Sequence, residues 1–316
     1  MSQSGSHFAL LNGEFKITGG TGCGHVKTGC ETGACEKVKE AIVTDQRDYV
    51  FMETEEGIAY NLHRNSLEDK AVYYTKGSLE AKLQYLFRRF VREGDYVLDI
   101  GANSGFHTVC LSGIVGDAGR VHAFEPVPFN YIKMVTNLHL NGIRNVVTHD
   151  CALGATNRQQ VMNVIREGEL EQGNHSLAAN EKIVGALKDK IDPLEVSVRR
   201  LDDVLPSIPR LDFIKIDVEG YENEVLKGAQ ALIRKHQPIV IMEWVEPRLK
   251  HLGIERGQFP PLFGDNYAFF EINCDDADDP SRVTALSPYR FDRHMSAGSW
   301  DLVCLPLRRF RSDQDG

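Results

Sequence analysis

The chain has 316 residues, 42% of them hydrophobic and 26% charged, which is typical of a globular protein and excludes a fibrous or disordered one. The formal net charge of −9 disfavours nucleic acid as a partner. No apolar run reaches the roughly 18 residues of a membrane span, and the first residues lack a signal-peptide pattern. We therefore expect a cytoplasmic protein without membrane contact.

The first 47 residues carry four potential metal ligands, Cys23, His25, Cys30 and Cys35. Thiolates and imidazoles bind zinc, but no Cys-x-x-Cys pair is present and the spacing matches no common finger. A zinc site and an extension with reduced thiols both remain open. The chain has seven cysteines, an odd number that does not suggest a disulfide framework.

The next elements are a hairpin and a helix. Residues 48–63 alternate around a turn at Glu55-Glu56-Gly57, which predicts a small β cap. A helix is expected to begin at Ser78 as its N-cap and to end at Gly94. We predict an N-terminal extension with its cap over residues 1–76, a main domain over 77–307 and a charged tail over 308–316.

A short apolar strand, Asp95–Ile100, leads into a turn bounded by Gly101 and Gly105. This turn resembles the dinucleotide fingerprint, but Asn103 occupies the position where a glycine would approach a pyrophosphate. Asp99 at the strand end would repel phosphates and favour a cation. The turn therefore predicts a ligand that carries a positive charge.

Glu125 lies at the tip of the following strand, at about the 20-residue distance where an acid holds the hydroxyls of a ribose. A ribose together with a positive charge describes S-adenosylmethionine, which has a sulfonium and an α-ammonium group. The residues expected to bind this cofactor are Glu80, Asp99, Gly101, Asn103, Gly105, Glu125, Pro126, Asp150, Cys151 and Ala152. Glu80 could reach the ammonium group, although an acid in a first turn also complements the helix dipole.

Strands and helices alternate through the main domain. The pattern predicts strands at Asp95–Ile100, Arg120–Phe124, Val146–His149, Phe213–Val218, Ile239–Glu243, Tyr267–Asn273 and Ser299–Leu305, with helices at Phe106–Ile114, Pro128–Leu140 and Tyr221–Lys235. Such alternation indicates an α/β fold with a mostly parallel, seven-stranded sheet, whose last two strands form an antiparallel edge. Residues 161–198 interrupt it with an edge strand at Val161–Ile165, a polar loop and a short helix within 178–191, for which we expect a lid.

Five runs of sequence resemble the FkbM family of S-adenosylmethionine-dependent methyltransferases. They are Val97–Thr108, Phe124–Pro126, Ala152–Gly154, Leu201–Asp203 and, most diagnostic, Phe213–Glu222 with the sequence Phe-Ile-Lys-Ile-Asp-Val-Glu-Gly-Tyr-Glu. The resemblance implies a class I methyltransferase fold, which is Rossmann-like. It also implies methylation of a hydroxyl on a small molecule such as a sugar, a polyketide or another secondary metabolite.

The candidate catalytic residues lie in the predicted lid and at the strand ends. His175 has the unperturbed pKa that suits a general base, and Lys215, Asp217, Glu219 and Glu243 compete with it. Asp217 and Glu219 would project on the same side if the strand continued through both. Asp217 and Glu243 could instead hold Mg²⁺ or another divalent cation through oxygen ligands.

Two other functions remain open on the sequence alone. A nicotinamide-dependent oxidoreductase would use a similar sheet, but Asn103 and the surrounding acids disfavour it. A non-catalytic module that binds the cofactor is a second alternative. It is disfavoured only because the strand ends carry more acidic residues than cofactor binding requires. The expected partner is a small-molecule methyl acceptor, and a homo-oligomer is one alternative for the assembly state.

Overall fold

The computed structural model describes residues 7–11, 14–18, 49–64, 66–77, 80–165, 191–245, 256–274, 283–289 and 299–308. The chain divides into two compact units, residues 1–45 and 46–316. In the smaller unit, β1 (His7–Leu11) pairs antiparallel with β2 (Glu14–Thr18), a hairpin that the sequence pattern did not predict. Cys23, His25, Cys30 and Cys35 lie outside the described residues.

The larger unit contains the remaining elements. Its strands are β3 (Tyr49–Glu53), β4 (Ala59–His63), β5 (Tyr96–Ile100), β6 (Arg120–Phe124), β7 (Val146–His149), β8 (Ala152–Leu153), β9 (Arg158–Ile165), β10 (Ile191–Arg199), β11 (Phe213–Ile216), β12 (Ile239–Val245), β13 (Tyr267–Cys274), β14 (Val283–Pro288) and β15 (Ser299–Pro306). Its helices are α1 (Leu67–Tyr74), α2 (Ala81–Phe90), α3 (Phe106–Val115), α4 (Pro128–Leu140), α5 (Leu201–Val204), α6 (Glu222–Gly228) and α7 (Gln230–His236).

The main sheet has the strand order β14-β13-β15-β12-β11-β5-β6-β7. The five strands from β12 to β7 are parallel, and β13, β14 and β15 form an antiparallel edge. This confirms the predicted α/β class I methyltransferase fold with its antiparallel edge. The sheet has eight strands rather than the predicted seven, because β14 extends the edge beyond β13.

Both faces of the sheet are covered. Val97 and Phe213 belong to an apolar cluster with residues of α2 and α3, whereas the next residues, Leu98 and Ile214, belong to a cluster with residues of α6 and α7. Successive strand residues point to opposite faces, so a strand covered by helices on both sides must be apolar throughout. The continuous apolar runs of β5 and β11 have this origin.

The predicted β3–β4 hairpin is confirmed, but it belongs to the larger unit. Backbone N–H groups of β4 donate to α4, from Ala59 to Oδ1 of Asn141 at 2.8 Å and from Asn61 to Oδ1 of Asn137 at 2.7 Å. The division between compact units falls after Asp45, and the boundaries predicted at residues 76 and 307 stay predictions.

Two predicted helices differ from the structure. The helix expected to begin at Ser78 begins at Ala81, with Glu80 as its N-cap, and Ser78 lies outside the described residues. The single helix predicted over Tyr221–Lys235 is divided at Ala229 into α6 and α7. A side chain at Gly228 would collide with the carbonyl oxygen of Gly154, so close packing accompanies this break.

The segment between β7 and β11 forms a second, three-stranded sheet with the order β8-β10-β9. The predicted edge strand at Val161–Ile165 is longer, Arg158–Ile165, and pairs antiparallel with β10. The short helix predicted within 178–191 lies almost wholly outside the described residues, and Ile191 itself begins β10. A continuously apolar helix of bilayer-spanning length does not occur among the described residues.

Candidate active site

A cavity of about 280 Å³ opens beyond the carboxyl ends of β5, β6 and β11. This edge is where ligands bind in open α/β sheets, because loops diverge there and helix N-termini point towards the opening. Its wall combines backbone of the glycine turn, four carboxylates and an apolar side. The lining residues are Glu80, Ile100, Gly101, Ala102, Asn103, Phe106, His107, Phe124, Glu125, Pro126, Asn130, Cys151, Ala152, Leu153, Met162, Lys215, Asp217, Val218, Glu219 and Tyr221.

The turn between β5 and α3 needs its two glycines for different contacts. Gly101 has φ 77°, and a side chain there would collide with the carbonyl oxygen of Asp217. Gly105 has φ 82°, and a Cβ atom would lie 2.7 Å from Cγ of Met134 on α4. Between them Asn103 also adopts a left-handed conformation, φ 49°, which asparagine tolerates better than most residues. The turn therefore places the backbone of Gly101 and Asn103 at the cavity wall.

Glu125 follows β6 directly and is 5% exposed. Its Oε2 accepts from the backbone N–H of Asn103 at 2.8 Å, and its Oε1 accepts from the N–H of Val127 at 2.9 Å. Burial raises the pKa of this carboxyl group to about 7, although both backbone donors oppose the shift. The carboxylate is thus oriented at the cavity wall, beside Pro126, where it can accept hydrogen bonds from a ligand.

Cys151 and Ala152, both predicted to contact the cofactor, lie on the apolar side of the cavity with Leu153 and Met162. Burial raises the pKa of the Cys151 thiol to about 12, so it is a neutral contact surface. Asp150 is exposed and does not belong to the lining. A flat apolar ring fits this side better than a charged group.

Asp99 lies beneath the turn rather than on the cavity wall. It is fully buried, its Oδ2 accepts from the hydroxyl of Thr108 at 2.6 Å, and its Oδ1 lies 3.4 Å from Nζ of Lys215. The prediction that Asp99 contacts the cofactor is therefore not supported by its position. Its carboxylate stabilises the end of β5 from within the core.

Lys215 connects β11 to the glycine turn. Its Nζ donates to the carbonyl oxygen of Gly101 at 3.0 Å and lies 3.5 Å from Oδ2 of Asp217. Burial lowers the pKa of this ammonium group, but the charges of Asp99 and Asp217 outweigh burial and raise it. An ammonium held in this way does not accept a proton, so the geometry argues against Lys215 as a general base.

Three carboxylates meet at the mouth of the site. One oxygen from each of Asp217, Glu219 and Glu243 can lie within 4.8 Å of the others, a spacing compatible with a hard cation. The strand does not continue through Asp217 and Glu219 as predicted, because β11 ends at Ile216 and Glu219 has φ 57°. Asp217 and Glu219 line the cavity, whereas Glu243 does not.

Glu80 lines the cavity and forms a pair that the sequence pattern did not reveal. Its Oε2 lies 2.5 Å from Nε2 of His107, which is 8% exposed. Burial would raise the pKa of Glu80, but the hydrogen bond and charge of His107, with the charges of Lys215 and Lys82, lower it to about 2. Burial would lower the pKa of His107, but the hydrogen bond and the charge of Glu80 outweigh burial and raise it.

Ten wall residues were not among the predicted site residues, and Asn130, His107, Met162 and Tyr221 are four of them. Tyr221 belongs to the most diagnostic run, which was a usable signal, and its hydroxyl donates to Oε1 of Gln160 at 3.2 Å. Met162 comes from β9, whose position over the cavity depends on pairing with β10. His175, the predicted base in the lid, lies outside the described residues.

Comparison with known proteins places this site in a family. The family model described as methyltransferase FkbM domain matches residues 99–274. A second model, protein-L-isoaspartate(D-aspartate) O-methyltransferase, matches residues 28–162. The first match covers more than half of the chain. It includes the glycine turn, Glu125 and the diagnostic run Phe213–Glu222, which begins with β11.

Individual relatives are more distant. Methyltransferase 1 of Beauveria bassiana is 27% identical over 150 residues, which cover 43% of this chain and 59% of the relative. Methyltransferase sdnD of Sordaria araneosa is 25% identical over 236 residues, 60% of this chain and 86% of the relative. The crystal structure of methyltransferase FkbM from Methylobacillus flagellatus is 17% identical with TM-score 0.42, covering 76% of this chain and 56% of that chain. On the match to the family model, the chain belongs to the FkbM methyltransferase domain family.

Proposed function

We propose that the protein transfers a methyl group from S-adenosylmethionine to a hydroxyl oxygen of a small molecule. The observation that carries this proposal is the buried carboxylate of Glu125, oriented by Asn103 and Val127 at the wall of the cavity. The resemblance to the O-methyltransferase model over residues 28–162 supports oxygen as the acceptor atom.

The residues present fit the cofactor. Glu125 would accept from the ribose hydroxyls, and the apolar wall at Cys151, Ala152 and Met162 would cover the adenine ring. Glu80 at the other end supplies a negative charge for the α-ammonium group. When bound, the cofactor supplies an electrophilic methyl group on its sulfonium.

The chain's own residues must then align the acceptor hydroxyl and remove its proton. Alignment at about 3 Å supplies most of the acceleration in such reactions. Among the described residues we assign proton acceptance to Glu219, which lines the cavity in a strained left-handed conformation, φ 57°. Strain of this kind clusters at functional sites. His175 stays a prediction for the same role.

The cofactor is tested by thermal unfolding with S-adenosylhomocysteine and, separately, with NAD. A ligand at 1,000 times its Kd adds about 4 kcal/mol, which raises Tm by several degrees. We expect S-adenosylhomocysteine to stabilise the wild type and to stabilise Glu125→Gln much less. Stabilisation by NAD alone would contradict the proposal and favour a nicotinamide-dependent oxidoreductase.

The base is tested by Glu219→Gln, with Glu224→Gln on the exposed side of α6 as the matched control. General bases contribute about 10²- to 10⁴-fold, so kcat should fall by at least about 10²-fold in Glu219→Gln while S-adenosylhomocysteine binds as in the wild type. Normal turnover by Glu219→Gln would exclude this residue. No turnover of hydroxylated acceptors by the wild type, with S-adenosylhomocysteine bound, would favour a non-catalytic binding module.

Dependence on Mg²⁺ or another divalent cation is a subordinate proposal. Asp217, Glu219 and Glu243 would hold the ion, and it would lower the pKa of the acceptor hydroxyl. The ammonium of Lys215, 3.5 Å from Asp217, competes with a cation for that carboxylate. Activity that survives dialysis against EDTA would exclude the cation, and activity restored by Mg²⁺ alone would support it.

A further inference from the structure

The pair of Glu80 and His107 joins the start of one helix to the start of another. Glu80 is the N-cap of α2, and His107 is the second residue of α3, directly after the glycine turn. Oε2 of Glu80 and Nε2 of His107 are 2.5 Å apart, and both residues line the cavity. The side chain of Glu80 is 48% exposed, whereas that of His107 is 9% exposed. The carboxylate of Glu80 is therefore accessible from the cavity, whereas the imidazole that holds it is buried.

Aromatic side chains fix the imidazole of His107. Phe87 of α2 packs edge-on against it, with centroids 5.4 Å apart and an interplanar angle of 88°. Phe106 packs against it at 5.5 Å and 68°. Because the ring is enclosed between two helices, Nε2 presents a donor at one fixed position. The Glu80 carboxylate has its orientation set by that donor.

The backbone of Glu80 is unusual for a cap. It adopts φ 49° and ψ 49°, and its side chain forms no capping hydrogen bond. Serine, threonine, asparagine and aspartate are the preferred caps because they bond the first N–H groups, and the left-handed conformation is unfavourable for glutamate. This strain is not offset by capping, which indicates that the side chain is placed for another contact.

The charges around the pair favour an ionised Glu80. His107, Lys215 and Lys82 together lower the pKa of Glu80 to about 2, against the effect of burial. The charge of Asp99 raises the pKa of His107. Lys82 itself pairs with Asp301 on β15. At neutral pH the cavity wall consequently carries the Glu80 carboxylate in its ionised form, paired with His107. Such a charge suits a cationic group of a ligand.

We propose that His107 is a positioning residue, which holds the carboxylate of Glu80 in place for the ammonium of the cofactor's amino-acid end. The inference rests on the proposed function. It gives His107 a role in binding the ammonium group, which His107 exerts through Glu80 and not by direct contact.

Two ligands separate this role from a structural one. S-adenosylhomocysteine carries the ammonium group, and 5′-methylthioadenosine has the same nucleoside without the amino-acid end. By calorimetry, Glu80→Gln and His107→Phe should each raise the Kd of S-adenosylhomocysteine about 10- to 100-fold, the range of a charge-assisted hydrogen bond. The Kd of 5′-methylthioadenosine should change by less than about twofold, measured by competition. Glu56→Gln and His139→Gln, away from the cavity wall, are the matched controls.

The link through Glu80 is tested by a double-mutant cycle. In the Glu80→Gln background, His107→Phe should produce no further loss. With Glu80 intact, His107→Gln, which keeps a donor, should retain most of the affinity that His107→Phe loses. An independent His107 effect in that background, or equal losses with both ligands, would overturn the proposal. If His107→Phe does not fold, imidazole NMR of the wild type decides: S-adenosylhomocysteine must shift the His107 signals and 5′-methylthioadenosine must not. Failure of both ligands to bind the wild type would instead overturn the proposed function.

Discussion

The backbone N–H of Asn103 donates to Oε2 of Glu125 at 2.8 Å, and this hydrogen bond joins the glycine turn to the end of β6. The two residues are separated along the chain, yet each sets the position of the other. Asn103 adopts a left-handed conformation that turns its N–H towards the acid. The acid, held at its other oxygen by Val127, becomes a fixed acceptor.

The first prediction concerns pH. Burial raises the Glu125 pKa to about 7 from 4.5, so folded Glu125 is largely protonated between those values while the unfolded chain is ionised. Its contribution to stability is therefore present below pH 4.5 and lost as pH rises through 7. Ribose hydroxyls donate to the ionised form, so the affinity for 5′-methylthioadenosine should rise by up to about tenfold per unit towards pH 7 and then level.

Calorimetry between pH 5.5 and 8.5 measures this dependence. The ligand has no titrating group in that interval, so a rise reports on the protein. Glu125→Gln should bind weakly and without the rise. A profile of the same shape in Glu125→Gln would assign the titration to another group.

The second prediction concerns the glycine turn. Gly101→Ala should lower stability by several kcal/mol and abolish binding of S-adenosylhomocysteine, because the new methyl group collides with the carbonyl of Asp217 at a positive φ. Gly142→Ala is the control: it also has positive φ, 63°, but nothing lies within 4 Å. It should cost about 1 kcal/mol and leave binding unchanged. Equal losses in urea unfolding would show that φ alone, not close packing, selects glycine.

The third prediction concerns Lys215. Lys215→Met removes the partner of the fully buried Asp99 and should destabilise the protein by about 3–5 kcal/mol, with Asp99→Asn in the same chain restoring part of the loss. Lys227→Met, which removes an exposed pair with Glu224, should cost less than about 1 kcal/mol. Urea unfolding measures both. A small effect of Lys215→Met would show that the ion pair with Asp99 does not stabilise the folded protein.

The fourth prediction contrasts two helical glycines. Gly113→Ala in α3, where nothing lies within 4 Å, should stabilise the protein by up to about 1 kcal/mol. Gly228→Ala in α6 should destabilise it, although alanine is the better helix former, because the methyl group would collide with the carbonyl of Gly154. A gain in Tm for Gly228→Ala would show that α6 can shift without cost.

The sequence predicted the parallel strands well because each is a local apolar run ended by a glycine or an acid. It did not predict β10, since Pro193 lowers the strand signal even though Leu194, Val196 and Val198 alternate correctly. The break at Ala229 has no local signal at all. The contact that accompanies it, between Gly228 and the carbonyl of Gly154, is tertiary and is not visible in the sequence.

The site was predictable only where chemistry is local. Gly101 and Glu125 lie at positions fixed by the strand pattern, so their place on the wall followed from spacing. His107 was missed because its partner, Glu80, precedes β5 and meets it only in the fold. Asp99 was assigned to the cavity because a side chain at a strand end points either outward or into the core, and spacing does not distinguish the two.

Ile165, the last residue of β9, pairs in register with Ile191, the first residue of β10. On the same pair of strands, Met162 of β9, which forms part of the cavity wall, pairs with Leu194 of β10. This side of the wall therefore depends on two positions that lie 32 residues apart along the chain and meet only through strand pairing.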